Sequence, residues 1–164
     1  MRRMVKLAAA TAVVAALLVA GGVLATGGSG VTINQLLVRS AFTDNVDLKV
    51  RVQIDGATQV AHVGSGQVVM SHIVIGPGGQ TGWHSHPGPA IVTIAAGTFT
   101  LYDGDDPTCT GRPYAAGEAF VDIGGGHVHR GRNLGTTDVE LYITYLGVPA
   151  GTSPRIDAPD PGNC

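Results

Sequence analysis

The sequence predicts an all-β fold, a sandwich or barrel of short strands, and three observations predict it. Glycine is abundant, at 25 of 164 residues, so tight turns are available at short intervals. Glutamate and lysine number only two each, which disfavours long surface helices. Valine, isoleucine and threonine are frequent, and several segments alternate apolar with polar residues at the period of a strand. A chain of this length buries one sizeable core, so a single domain with a tail at each end is expected.

Residues 1–25 read as a targeting segment. Arg2, Arg3 and Lys6 precede an apolar run from Leu7 to Ala25 that ends Val-Leu-Ala, the pattern of a cleavable export signal. The run is also barely long enough to span a bilayer, so an uncleaved N-terminal anchor is the alternative, and the only route to a membrane. Residues 26–30 read as a linker, 31–148 as the barrel domain and 149–164 as a Pro/Gly-rich C-terminal tail.

From Val31 to Phe42 the pattern fits a strand or a short turn of helix. Leu48, Val50, Val52 and Ile54 alternate with polar neighbours as a half-buried strand, and Asp55-Gly56 supplies a turn. Val60 to Val63 and Val68 to Ile75 follow as strands, the second ending in the Gly-Pro-Gly-Gly breaker at 76–79. His62 and His72 fall within these strands and read as histidines with ordinary hydrogen bonds. A strand through His84 comes next, then Ala90 to Ala96, Thr98 to Tyr102, Ala119 to Ile123, His127 to Arg132 and Val139 to Leu146. The loop 103–111 gathers Asp103, Asp105 and Asp106 but lacks the later glutamate of a calcium loop, so it reads as a solvated turn.

Beyond residue 25, seven basic residues face twelve acidic ones with no basic run, which excludes a nucleic-acid footprint. Export leads to an oxidising compartment, where Cys109 and Cys164 are expected to form a disulfide across 55 positions. The rival reading is two free thiols or metal ligands.

Four of the six histidines lie in two clusters. His84 and His86 are one residue apart, so a strand would aim both imidazoles to one side and Ser85 to the other. His127 and His129 repeat that spacing. Imidazole is the commonest protein ligand for zinc, copper, iron and nickel, and a divalent metal is the expected cofactor, manganese also being admissible.

These residues resemble the cupin superfamily. Its first motif, Gly-x5-His-x-His-x3/4-Glu-x6-Gly, is met by Gly78, His84, His86 and Gly97, with Ala90 in place of the glutamate. Its second, Gly-x5-Pro-x-Gly-x2-His-x3-Asn, is recognisable in Gly117, Gly126, His129 and Asn133. There, Gly124 stands for proline and one extra residue follows Gly117. The resemblance spans about Val68 to Leu146 and, with its short gap between motifs, is closest to compact microbial cupins. It implies a jelly roll (double-stranded β-helix) barrel with metal ligands His84, His86 and His129. His127 is the alternative ligand, or a contact behind the metal or to substrate. Neither Glu118 nor Glu140 offers an obvious replacement for the missing carboxylate. Three-histidine cupins include oxygenases acting on thiols or diketones.

The expected function is therefore an exported cupin (secreted, periplasmic or at the cell envelope) that binds a divalent metal and a small-molecule ligand inside its barrel. It is either a metal-dependent, oxygenase-like enzyme on a small anionic or chelating molecule, or a non-catalytic binding module. A rigid scaffold is a third reading. No catalytic residue beyond the metal ligands is identified, and a homodimer through Val31 to Gln67 is the candidate assembly.

Overall fold

The computed structural model describes residues 26–54 and 56–164 of the chain. The candidate export segment lies outside the described residues, as does Asp55 of the first turn. Among the described residues the regular structure is all strand: β1 (Ser29–Ala41), β2 (Leu48–Ile54), β3 (Ala57–Val63), β4 (Gln67–Gln80), β5 (His84–Ser85) and β6 (Ala90–Ala96). There follow β7 (Thr98–Asp103), β8 (Arg112–Ala115), β9 (Ala119–Asp122), β10 (His129–Asn133), β11 (Val139–Val148) and β12 (Ile156–Asp157).

Ten of these strands form one antiparallel sheet that curls into a nearly closed jelly-roll barrel, as predicted. Its main path runs β12-β5-β10-β4-β11-β6-β9, with β1 on β4 and β7 joining β10 to β8. β2 and β3 pair only with each other, in the register Leu48↔Val63 to Ile54↔Ala57. Strand alternation decides what enters the barrel. β11 sends Val139, Leu141, Ile143 and Tyr145 inward, and β6 sends Ala90, Val92 and Ile94 to meet them.

One open stretch is resolved and one local prediction is revised. The undecided stretch at 31–42 is strand, because β4 offers it a ladder from Val31↔Ile75 to Ala41↔Gln67. The breaker at 76–79 does not end β4. The β1 ladder jumps from Val31↔Ile75 to Ser29↔Gln80, so the chain bulges and resumes pairing, with Gly78 at φ 73°. Ser85, expected on the side opposite the histidines, is as buried as they are, with β12 paired along β5.

On β10, His129, Gly131 and Asn133 face inward while Arg130 and Arg132 face out. Gly131 is required by space, since a Cβ there would collide with the Phe99 ring. Asn133 is buried and donates Nδ2–H to the carbonyls of Ile75 and Thr137 (both 2.8 Å), while its Oδ1 accepts from Gly135 N (3.0 Å). It thereby pins β10 to β4 and to the turn before β11.

The C-terminal tail is a strap across the barrel rather than a loose end. The Arg39 guanidinium donates to Thr152 O (2.7 Å), β12 pairs with β5, and Ala158 N donates to Trp83 O (3.0 Å). Thr26, in the stretch read as a linker, ties to the same place through Ala158 O (3.1 Å) and accepts from Trp83 N (2.7 Å). Asn163 donates to Gly104 O and Asp106 O, and the expected Cys109–Cys164 disulfide closes the strap. The short β12 arises inside a Pro/Gly-rich segment because β5 supplies its ladder.

Candidate metal centre

β5 and β10 are antiparallel neighbours with His84 and His129 directly paired, and paired residues share a sheet face. His86 follows two residues after His84, just before the Pro87-Gly88-Pro89 turn. One ring nitrogen from each of His84, His86 and His129 lies within 4.8 Å of the others. The ring centroids are 4.4 to 5.0 Å apart, and all three residues are buried. The fold thus brings together the three histidines named from the sequence, over a separation of 45 residues for the outer pair.

The outer nitrogens fix the chemistry of the inner ones. His84 Nδ1 contacts Gly82 O (2.9 Å), His86 Nδ1 contacts Pro154 O (2.8 Å) and His129 Nδ1 contacts His127 O (3.3 Å). A carbonyl oxygen only accepts, so each Nδ1 carries the hydrogen and each neutral ring leaves the Nε2 lone pair free. Burial pushes all three pKa values below the ordinary imidazole value, strongly for His84 and His129, and the neighbouring histidine charge pushes the same way on those two. Neutral, convergent, tautomer-fixed imidazoles with no protein proton between them are the donor set a borderline divalent ion takes.

His127 is not part of this cluster but forms a second group with Asp122 and His129, one ligand atom of each again within 4.8 Å of the others. It lies in the turn before β10, so the shared strand face expected for it and His129 does not exist. Its Nδ1–H donates to Asp122 Oδ1 (2.8 Å), its Nε2 is 3.5 Å from Asp103 Oδ1, and its ring stacks 5.7 Å from His129. The Asp122 hydrogen bond raises its pKa. The turn that carries it departs from the motif for a visible reason. Gly124 has φ 69°, closed to proline, and a Cβ there would strike the Gly88 backbone.

Asp122 is the residue that sequence reasoning missed. Its carboxylate is almost fully buried, accepts from His127 and Gly124 N (3.2 Å), and lies 3.6 Å from His129 Nδ1. Burial would raise its pKa, but the His127 hydrogen bond and the charges of His129 and His86 outweigh it and hold the group below the usual carboxylate value. Its place on β9, opposite Ala90, was the available signal.

The cluster opens on a cavity of about 520 Å³. Val92, Phe99, Phe120, Leu141 and Ile143 make apolar walls, and the strap adds Arg155. Arg155 commits Nε–H to Asp157 Oδ1 (2.6 Å), which leaves its Nη groups for other acceptors. Tyr145, beside His86 at 5.0 Å between centroids, has its phenol pushed far up by burial. The remaining sequence candidates sit elsewhere. His72 donates Nε2–H to Glu140 Oε1 (2.8 Å) and stacks on Tyr142, and Asp106 spends its carboxylate on Thr108 and Thr110.

Comparison with known proteins bears on the barrel. The family described as Cupin domain matches residues 71–145. An uncharacterised conserved protein with a double-stranded β-helix domain from Klebsiella pneumoniae is 17% identical, with 73% of this chain and 90% of that one covered and a TM-score of 0.47. A cupin domain from Bordetella pertussis is 19% identical, with coverages of 64% and 97% and a TM-score of 0.43. An oxalate oxidase is 28% identical over 47% of this chain, with a TM-score of 0.41, and the chain spans 40% of that protein's length. Comparison with curated proteins gives no match.

Proposed function

Because residues 71–145 place the chain in the cupin superfamily, we propose that it holds a divalent metal ion on His84, His86 and His129 and presents it to a small anionic molecule in the barrel. The observation that carries this reading is the set of three buried imidazoles whose Nδ1–H groups are all committed to carbonyls. A bound ion would supply Lewis acidity, a lowered pKa of bound water, or redox chemistry, according to its identity. The residues around it do the rest. Gly82, Pro154 and His127 hold the imidazoles in one tautomer, the apolar walls exclude water, and Arg155 offers positive charge to an anion entering the cavity. Zinc, copper, nickel and iron suit imidazole donors, and manganese, which prefers oxygen donors, completes the candidates.

Oxygenase-like turnover is the enzymatic form of this proposal. A second reading, a non-catalytic binder, has its own support. Apart from the three histidines, the ionisable side chains among the described residues lining the cavity are Tyr145, whose phenol burial holds protonated, and the Arg155 guanidinium, so no carboxylate lines it to serve as a base. Export is part of the proposal, supported by the disulfide. So is a homodimer through Val31 to Gln67, supported by exposed Ile33, Leu36, Leu37 and Val38 on β1.

Elemental analysis of the purified domain beside a His84→Ala/His86→Ala variant tests the centre. Metal in the wild type and none in the variant is expected, and equal content refutes it. Oxygen consumption with a panel of thiols and diketones then separates enzyme from binder.

A further inference from the structure

Ala90 and Asp122 are direct partners across the β6–β9 ladder, and both are buried. Residues opposite one another in an antiparallel pair point to the same side of the sheet. The sequence motif asks for a carboxylate at position 90, and the fold delivers one on the adjoining strand. We propose that Asp122 is the anionic positioning residue of the histidine centre, acting through His129 from behind and standing in for the carboxylate absent at Ala90.

The geometry fixes which role it takes. Asp122 Oδ1 approaches His129 at Nδ1 (3.6 Å), the nitrogen already turned to the His127 carbonyl and away from a ligand lone pair on Nε2. It therefore orients and polarises the ring rather than joining the donor set. His127, clamped between Asp122 and Asp103, holds the carboxylate in that position. A buried carboxylate is costly unless positive charge faces it, and an ion on His129 adds to what His127 supplies. A glutamate at 90 would set a second carboxylate beside the first, and like charges directly opposite destabilise a ladder. Alanine at 90 and aspartate at 122 are thus one solution in two parts. The consequence for the site is that, among the described residues, His84, His86 and His129 would remain its only protein donors to a divalent ion, with part of the ion's charge balanced by Asp122 from outside the donor set.

This inference rests on the metal reading above. The test uses the full chain, stripped with a chelator and titrated with zinc and with manganese against a fluorescent competitor. Asp122→Asn should bind about 10- to 100-fold more weakly than wild type, and Asp122→Glu should stay within about threefold of it. Moving the charge, in Asp122→Asn with Ala90→Glu, should recover most of the loss, which a packing role would not produce. Thermal unfolding of each apo form reports folding separately, and if the double variant does not fold, the Asn-against-Glu comparison decides. A wild type that takes up neither metal refutes the metal reading itself. A wild type that binds while Asp122→Asn binds equally well, or Asn and Glu variants that are equally weak, overturns the role of Asp122 alone.

Discussion

Acidification of the metal-free protein should unfold it in a way set by the histidine centre. His84, His86 and His129 have pKa values lowered by burial, so their contribution is present above the unfolded-chain value and is lost as pH falls. The unfolded chain takes up these protons near pH 6.5 and the fold resists them. A proton wholly resisted costs RT ln(1 + 10^(6.5 − pH)), about 1.4 kcal/mol at pH 5.5, so the three residues together lose at most about 4 kcal/mol between pH 7.5 and 5.5. His127 acts with the opposite sign. Its pKa is raised, so its contribution is present at low pH and lost as pH rises, and it returns at most about 1.4 kcal/mol over the same interval. Three lowered groups face one raised group, so acidification costs stability on balance, by up to a few kcal/mol, a large part of a typical domain's stability. Urea midpoints at pH 7.5, 6.5 and 5.5 in chelator measure it directly. A His84→Gln/His86→Gln/His129→Gln variant should abolish the acid loss and leave only the smaller, opposite slope of His127. A wild type equally stable at pH 7.5 and 5.5, or more stable in acid, refutes the reasoning.

Two further outcomes follow from groups away from the metal donors. Replacing Asn133 with alanine takes a buried partner from the Ile75 carbonyl and releases the part-buried Thr137 carbonyl and Gly135 amide, and should cost about 1–3 kcal/mol in urea unfolding, whereas a loss under about 0.5 kcal/mol contradicts its structural role. Cys164→Ser opens a 55-residue closure and should cost up to about 4 kcal/mol. Limited proteolysis should then cut first within residues 149–163, and an unchanged cleavage pattern contradicts the strap.

Much of the barrel was legible because strand periodicity is local. Leu48, Val50, Val52 and Ile54 declare β2 without knowledge of anything else, and the glycines and histidines of two short motifs locate the centre. What stayed hidden depends on partners. β4 runs past Gly76-Pro77-Gly78-Gly79 because β1 and β10 pair again at Gln80. β12 exists only because β5 is beside it. Asp122 is hidden in the sequence because it is no glutamate and falls in neither motif, and it meets position 90 only across a ladder, 32 positions away. His127 was misplaced for a related reason: a His-x-His spacing carries orientation only inside a strand, and Gly124, Gly125 and Gly126 at positive φ take the chain through a turn there.

The strap gives the centre a dependence on a distant covalent bond. Pro154 supplies the carbonyl that sets the tautomer of His86, and Pro154 is held in place between Arg39 at one end and the Cys109–Cys164 closure at the other. Any ligand that prefers His86 with hydrogen on Nδ1 therefore also prefers the seated strap. Thermodynamic reciprocity then requires the converse, that a seated strap favour that ligand by the same factor. Closing the Cys109–Cys164 bond and filling the histidine centre would then be two coupled events, each favouring the other through the strap.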